Sequence, residues 1–208
     1  MKKRLVRNPS LQEDLIPSFP PGCRRLTPGP GYLEALTDEK VSTIREGIAR
    51  IDATGIVTND DVHHPVDAIM CATGFDTSFL PRFPITGRGG RSLAQKWKEF
   101  PETYLSMSTD DFPNYFISLG PNSALGSGNL LFVIEKAMDY FTDCVLKMQR
   151  DNISSMAPCK QAVDGFFNYC KDYFDTTVFT HNCRSWYKGG SFDGPISALW
   201  PGKFIVQY

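Results

Sequence analysis

No stretch of this 208-residue sequence approaches the ~18 consecutive apolar residues of a membrane-spanning helix, so no transmembrane segment is expected. Neither sign of charge dominates: 22 Lys and Arg stand against 23 Asp and Glu, for a formal net charge of -1. Proteins that hold nucleic acid usually carry a basic face, and the balance argues against that partner. Met1-Lys2-Lys3-Arg4 is basic, but no apolar run follows it, so no secretory signal is expected and a cytoplasmic, reducing setting is the default. The six cysteines (Cys23, Cys71, Cys144, Cys159, Cys170 and Cys183) contain no Cys-x-x-Cys and match no zinc spacing. That excludes a metal centre and reads most of them as small buried hydrophobes. Internal repeats and low-complexity tracts are lacking too. What is present, 41% hydrophobic and 12% aromatic residues, suffices for a packed core.

The first fifteen residues read as a flexible terminus, and 16–208 as one body. Up to residue 40 the chain is punctuated by Pro17, Pro20, Pro21, Gly22, Gly29, Pro30 and Gly31, which break helices and central strands. Residues 41–58 hold short β-branched runs, with a turn at Asn59-Asp60-Asp61. Val66 to Ala72 is almost wholly apolar, the pattern of a strand buried on both faces of a parallel sheet, and it ends at Thr73-Gly74. Asn114 to Leu119, ending at Gly120, repeats the event. The two strands are expected side by side in one sheet. After a loop rich in Ser and Gly, Leu130, Ile134, Ala137, Phe141, Val145 and Met148 mark the face of a helix running to about Arg150. A second helix is expected after Pro158, with Ala162, Val163, Phe166, Cys170 and Phe174 on one side. The tail from residue 176 is irregular and aromatic. The fold class is α/β.

Several motifs admit a chemical reading. Gly22-Cys23-Arg24-Arg25 sets two guanidinium groups together after a Pro-Pro-Gly turn, an arrangement suited to an anion, although a solvated basic pair has the same spacing. Gly87-Arg88-Gly89-Gly90-Arg91-Ser92 is a poor dinucleotide fingerprint, because Ser92 replaces its third glycine, and a surface turn reads better. His63-His64 and His181 are expected as exposed loop histidines. Ser127 between two glycines is not a nucleophile elbow. The small-residue loop feeding the helix at Asn129 exposes unpaired N–H groups, where an electron-rich ligand edge could dock.

Taken in order, the segments are more specific. Pro20-Pro21-Gly22-Cys23-Arg24-Arg25, Tyr32-Leu33-Glu34, Asp67 to Asp76 with its Ala72-Thr73-Gly74-Phe75-Asp76, Gly120-Pro121-Asn122 and Ser185-Trp186-Tyr187-Lys188-Gly189 succeed one another. The series resembles the C-terminal portion of class B flavoprotein monooxygenases of the Baeyer–Villiger type, most of all the fungal branch of polyketide and mycotoxin pathways.

That resemblance implies part of a doubly wound FAD/NAD(P)-binding fold, followed by C-terminal helices and the aromatic tail. It implies FAD and NADPH as cofactors, and a small ketone, polyketide-derived in fungal secondary metabolism, into which oxygen is inserted to give an ester or lactone. By resemblance, Arg25 is the catalytic guanidinium and Arg24 meets the 2′-phosphate of NADPH. Ala72, Thr73 and Gly74 lie at the flavin domain, Asn129 and Leu130 beside the isoalloxazine, and Trp186 in a mobile loop that closes over NADP. The family's two Gly-x-Gly-x-x-Gly modules and the fingerprint between them are missing from the sequence, so binding of either dinucleotide by this chain alone is not expected. A truncated product, a chain completed by an N-terminal half or an oligomer, and a non-catalytic remnant serving as an interaction or ligand-binding module are the readings that follow.

Overall fold

A computed structural model describes residues 1–202 apart from Pro28 and Ser127, so the serine between two glycines lies outside the described residues. The chain forms two compact units. One comprises residues 1–18 and 27–75, the other 19–26 and 76–208.

In the first unit, the segment read as a flexible terminus forms a short 3₁₀ turn and helix α1 (Ser10–Leu15). Leu5 and Leu11 are buried with Leu33 of helix α2 (Tyr32–Ala35). Arg4 closes this cluster from outside, its Nε 2.5 Å from the Glu34 carboxylate. The sheet is a three-stranded antiparallel meander of β1 (Ile48–Asp52), β2 (Gly55–Thr58) and β3 (His63–Pro65). Its register sets Asp52 opposite Gly55 and Ile56 opposite His64. The β1–β2 turn is an Asx turn: the Asp52 carboxylate accepts from the backbone N–H groups of Thr54 (2.8 Å) and Gly55 (3.0 Å). The Thr54 N–H and hydroxyl, with His63 beside them, hold the Asp52 carboxyl down to about 2. Gly55 is required there, because a side chain would strike the His64 carbonyl. His63 and His64, expected in a loop, are therefore strand residues, His64 Nε2 lying 3.2 Å from the Thr58 hydroxyl, whereas His181 is exposed outside any helix or strand.

The parallel sheet expected from the sequence is absent among the described residues. Residues 66–72 form no strand, and Val66, Ile69 and Met70 are exposed, Met70 at 95%. Residues 114–119 form turns, with Asn114 and Leu119 at positive φ. A parallel strand gains its stability from neighbours that cover and pair with it. The two segments fall in different units, and the only sheet among the described residues is antiparallel. The expectation that α4 packs across such a sheet falls with it.

The second unit holds α3 (Leu93–Lys96), α4 (Leu130–Arg150) and α5 (Lys160–Asp175). Helix α5 follows its sequence pattern: Val163, Phe166, Cys170 and Phe174 are buried. Gly165 sits exposed on the far side, with open space around it, and does not interrupt the helix. Helix α4 has the expected bounds but a rotated face. Val133, Ala137 and Cys144 are buried, whereas Leu130 and Val145, assigned to the stripe, are 44% and 46% exposed.

Two clusters make the core of this unit. One gathers Leu93, Trp97 and Phe112. The other packs Phe166, Cys170 and Phe174 of α5 against Tyr187, Ile196, Ala198, Leu199 and Trp200 of the tail. Gly120 is held at a backbone crossing, where a Cβ would strike the Ser106 carbonyl oxygen. Gly120→Ala is expected to cost about 1–3 kcal/mol, as overpacking does, and to lower the thermal midpoint followed by circular dichroism. An unchanged midpoint would mean that the crossing relaxes without penalty.

Candidate functional site

The Pro-Pro-Gly turn makes a tight bend, with the Cys23 amide donating to the Pro20 carbonyl at 3.3 Å. Gly22 adopts φ +95°, a conformation that glycine tolerates best. The bend exposes Arg24 and Arg25 and buries Cys23 completely. Arg24 lies over the Phe19 ring, its guanidinium carbon 4.9 Å from the centroid, a cation–π contact that orients the fork.

Cys23 is disulfide-bonded to Cys183, 160 residues away, with Cα atoms 6.5 Å apart. This corrects the reading of the cysteines as mostly small buried hydrophobes. Cys23 and Cys183 are paired, Cys71 and Cys159 are exposed thiols, and only Cys144 and Cys170 fit that description.

The disulfide fastens the arginine turn to the loop that carries Trp186. That loop begins at Ser185, whose hydroxyl caps a 3₁₀ turn over Trp186–Lys188 by accepting from the Tyr187 N–H at 3.2 Å. Gly189 and Gly190 then reverse the chain at positive φ. Lys188 is 4% exposed, yet it has no carboxylate partner among its hydrogen bonds. Its ammonium donates to the carbonyls of His181 (2.7 Å) and Phe192, and burial pulls its pKa below the usual lysine value. Arg184 Nε adds a bond to the Gly190 carbonyl at 2.9 Å. A loop whose sequence reads as irregular is thus braced by its own cations. Trp186 stays 40% exposed, its ring packed against that of the buried Tyr187 at a tilt of 57°, with centroids 4.8 Å apart. Burial raises the Tyr187 pKa, and the positive charge of Arg25 opposes that shift.

Asn129 and Leu130 belong to the same unit, at the start of α4. Asn129 is the N-cap, its side chain accepting from the Leu131 N–H at 3.0 Å. Leu130 and Leu131 are exposed around that N-terminus. Ala72, Thr73 and Gly74 lie in the other unit, all exposed, with Gly74 at φ +86° and open space where a side chain would project. Gly87 to Ser92 is a surface turn, closed by the Gly87 N–H on the Arg91 carbonyl (2.8 Å) and by an Arg91–Asp111 ion pair.

Asn122 escaped the sequence reading. It is buried at positive φ, and its side-chain amide donates to the carbonyls of Ile196 (2.7 Å) and Leu199 (3.1 Å). It therefore fixes the loop before α4 to the tail. The Gly-Pro-Asn order was its only visible signal, since an asparagine tolerates the left-handed region. A cavity of about 410 Å³ lies against α5, lined by Phe100, Phe167, Cys170, Phe174 and Ile196 among others, and by none of Arg24, Arg25, Ala72, Thr73, Gly74, Asn129, Leu130 and Trp186. Burial pushes the Cys170 thiol up to about 12, so it is no nucleophile there. Among the described residues, no cluster of His, Cys, Asp and Glu could hold a metal ion, and no helix is long and apolar enough to cross a membrane.

No family model matches the chain. It is similar, however, to curated proteins over nearly its whole length. It is 39% identical to the FAD-binding monooxygenase tazF of Aspergillus terreus, over 99% of this chain and 37% of that protein. It is 36% identical to the FAD-binding monooxygenase stcW of Emericella nidulans, over 97% and 33%, and 32% identical to a Baeyer–Villiger monooxygenase of Pseudomonas aeruginosa, over 95% and 38%. Among solved structures, an oxidized steroid monooxygenase bound to NADP superposes with a TM-score of 0.78 at 29% identity, over 99% of this chain and 40% of that one. Cyclohexanone monooxygenase from Rhodococcus sp. Phi1 bound to NADP+ gives 0.77 at 29% identity, over 94% and 37%. The chain spans about a third of the length of the curated relatives that it matches most fully.

Proposed function

We propose, on the premise that this chain matches the C-terminal portion of FAD-binding monooxygenases of the Baeyer–Villiger type, that it supplies the arginine turn and the closing loop of an NADPH-dependent enzyme inserting oxygen beside a ketone carbonyl. One observation carries this reading: the turn bearing Arg24 and Arg25 is disulfide-bonded to the segment that leads into the loop bearing Trp186 and Tyr187.

The residues present fit one end of FAD and not the other. The capped, exposed, apolar start of α4 suits the edge of a flat ring, and Asn129 and Leu130 would meet it there. The pyrophosphate finds no counterpart among the described residues: the glycine-rich turn at 87–90 is followed by a helix of four residues, not by a strand–turn–helix unit. FAD, when bound, supplies the activated oxygen. Within this chain, Arg25 holds a permanent positive charge where negative charge develops on oxygen, and Arg24 receives the 2′-phosphate of NADPH. The braced loop bearing Trp186 would close over NADP and exclude water. Ala72, Thr73 and Gly74 pack at the flavin domain. The finer doubly wound arrangement belongs to the assembled protein, in which the exposed apolar run 66–72 enters a sheet provided by the nucleotide-binding part. The Baeyer–Villiger and cyclohexanone monooxygenases among the similar proteins support a ketone as the substrate class; its place in fungal secondary metabolism rests on the sequence resemblance alone.

The purified 208-residue chain is therefore expected to lack stoichiometric flavin by absorbance. Produced together with the nucleotide-binding part of a relative, it is expected to oxygenate a ketone with consumption of NADPH. Stoichiometric flavin on the chain alone would overturn the division of the cofactor site. Assembly without oxygenation would favour the non-catalytic, interaction-module reading.

A further inference from the structure

We propose that Cys23 and Cys183 form a reversible thiol–disulfide latch between the arginine turn and the Trp186 loop. Each segment is shaped by its own bonds. The turn closes on Pro20, and the loop closes through Lys188 and Arg184 onto the carbonyls of His181, Phe192 and Gly190. The disulfide is the covalent link between them, and it joins points at extreme sequence separation, 160 residues apart. It enters the turn one residue before Arg24 and the loop three residues before Trp186. The bond stands on this geometry; its effect on oxygenation rests on the function proposed above.

Both sulfurs are buried, at 0% and 1% exposure, while Arg24, Asn182 and Arg184 beside them are exposed. Exchange thus requires a local opening of one short turn rather than unfolding of the unit. In a reducing compartment such a pair rests as two thiols and closes under oxidation. Closure uses a low-molecular-weight disulfide, glutathione disulfide, as oxidant. One cysteine thiolate attacks it to give a mixed disulfide and release one glutathione thiol. The second cysteine, losing its proton, then displaces the other glutathione thiol. Two thiols are oxidised and one disulfide is reduced. A dithiol reductant reverses both steps. Open, the loop keeps its internal bonds but loses its fixed position against Arg25.

The test uses the wild-type chain, equilibrated in glutathione disulfide or in dithiothreitol, with no oxygenation assay. After denaturation, iodoacetamide is expected to label Cys71, Cys144, Cys159 and Cys170 in both states, and Cys23 and Cys183 only in the reduced one. Trypsin acting on the native chain is expected to cut after Arg25 and Arg184 at least about tenfold faster once the latch is open, because local opening sets the cleavage rate. Returning the reduced chain to glutathione disulfide should restore resistance. Cys23→Ser should cleave at the fast rate in either buffer. Labelling of Cys23 and Cys183 in the oxidised chain, or equal cleavage rates in the two states, would overturn the proposal. A failure of the oxygenation reading would leave all of these results untouched.

Discussion

Arg25→Ala is expected to lower the oxygenation rate of the assembled enzyme by about 10²–10³, or about 3–4 kcal/mol of barrier, the usual cost of removing one preorganised stabiliser of a developing oxyanion. The guanidinium cannot be deprotonated at any working pH, and its planar fork offers donors in fixed directions. Arg25→Lys should also be poor, since a flexible ammonium copies the charge but not the geometry. Arg24→Ala should behave differently. Its guanidinium is already oriented over Phe19, and a 2′-phosphate contact is remote from the reacting atoms. The expected result is a raised KM for NADPH with little change in kcat. Steady-state kinetics on the chain joined with a nucleotide-binding part would separate the two. Wild-type oxygenation by Arg25→Ala would remove the catalytic assignment, while a kcat loss in Arg24→Ala equal to that in Arg25→Ala would show that the pair acts as one anion site.

Asp110→Ala is expected to be the most destabilising single change in the second unit, by about 3–5 kcal/mol. Its carboxylate lies 2.7 Å from the Lys96 ammonium, and the two side chains are only 7% and 4% exposed. Truncating one partner strands the other charge out of water, and that desolvation is the source of the cost. The double change Lys96→Met with Asp110→Leu should recover most of the loss, because apolar groups of similar volume need no partner there. At the exposed Lys147–Asp151 pair, removing Lys147 should matter by less than about 0.5 kcal/mol. Urea unfolding followed by the fluorescence of Trp97, buried one residue after Lys96, reads the site directly. A single variant within about 1 kcal/mol of wild type, on the scale of ordinary surface changes, would show that water reaches the pair after all.

Those two predictions draw on different kinds of legibility. Helix α5 could be read in advance because its buried residues recur at helical spacing within one segment, and burial of that stripe is what stabilises it. In α4 the same rule gave the length and the general side, since Glu135, Asp139, Asp143 and Lys147 mark a polar face; but the apolar arc is wide, and full burial falls on one edge of it, at Val133, Ala137 and Cys144, leaving Leu130 and Val145 exposed. The run 66–72 misled for a related reason. An apolar segment states that it must be covered, not by what, and the strands that pair with it are set by distant chain. The Cys23–Cys183 bond and the Lys96–Asp110 pair lacked any local signature, since spacing does not determine disulfide connectivity and a buried ion pair follows no period. From its residues the arginine turn was legible only as a basic pair; its link to the Trp186 loop rests on the Cys23–Cys183 bond, between residues 160 apart, which no spacing announced.

Asn122 also sets an order of events. Its side-chain amide reaches carbonyls 74 and 77 residues further along, and Ala124 bridges to Leu199 beside them. During synthesis, α4 and α5 are polymerised before those carbonyls exist. Contacts this distant in sequence form late, after the loops between them have closed. Until then the loop ahead of α4 keeps a buried-to-be asparagine without partners, and the aromatic face of α5 lacks Ile196, Leu199 and Trp200. A nascent chain halted before residue 196 is thus left with its longest helices made and its core open, the condition in which hydrophobic surface draws chaperones or other unfinished chains.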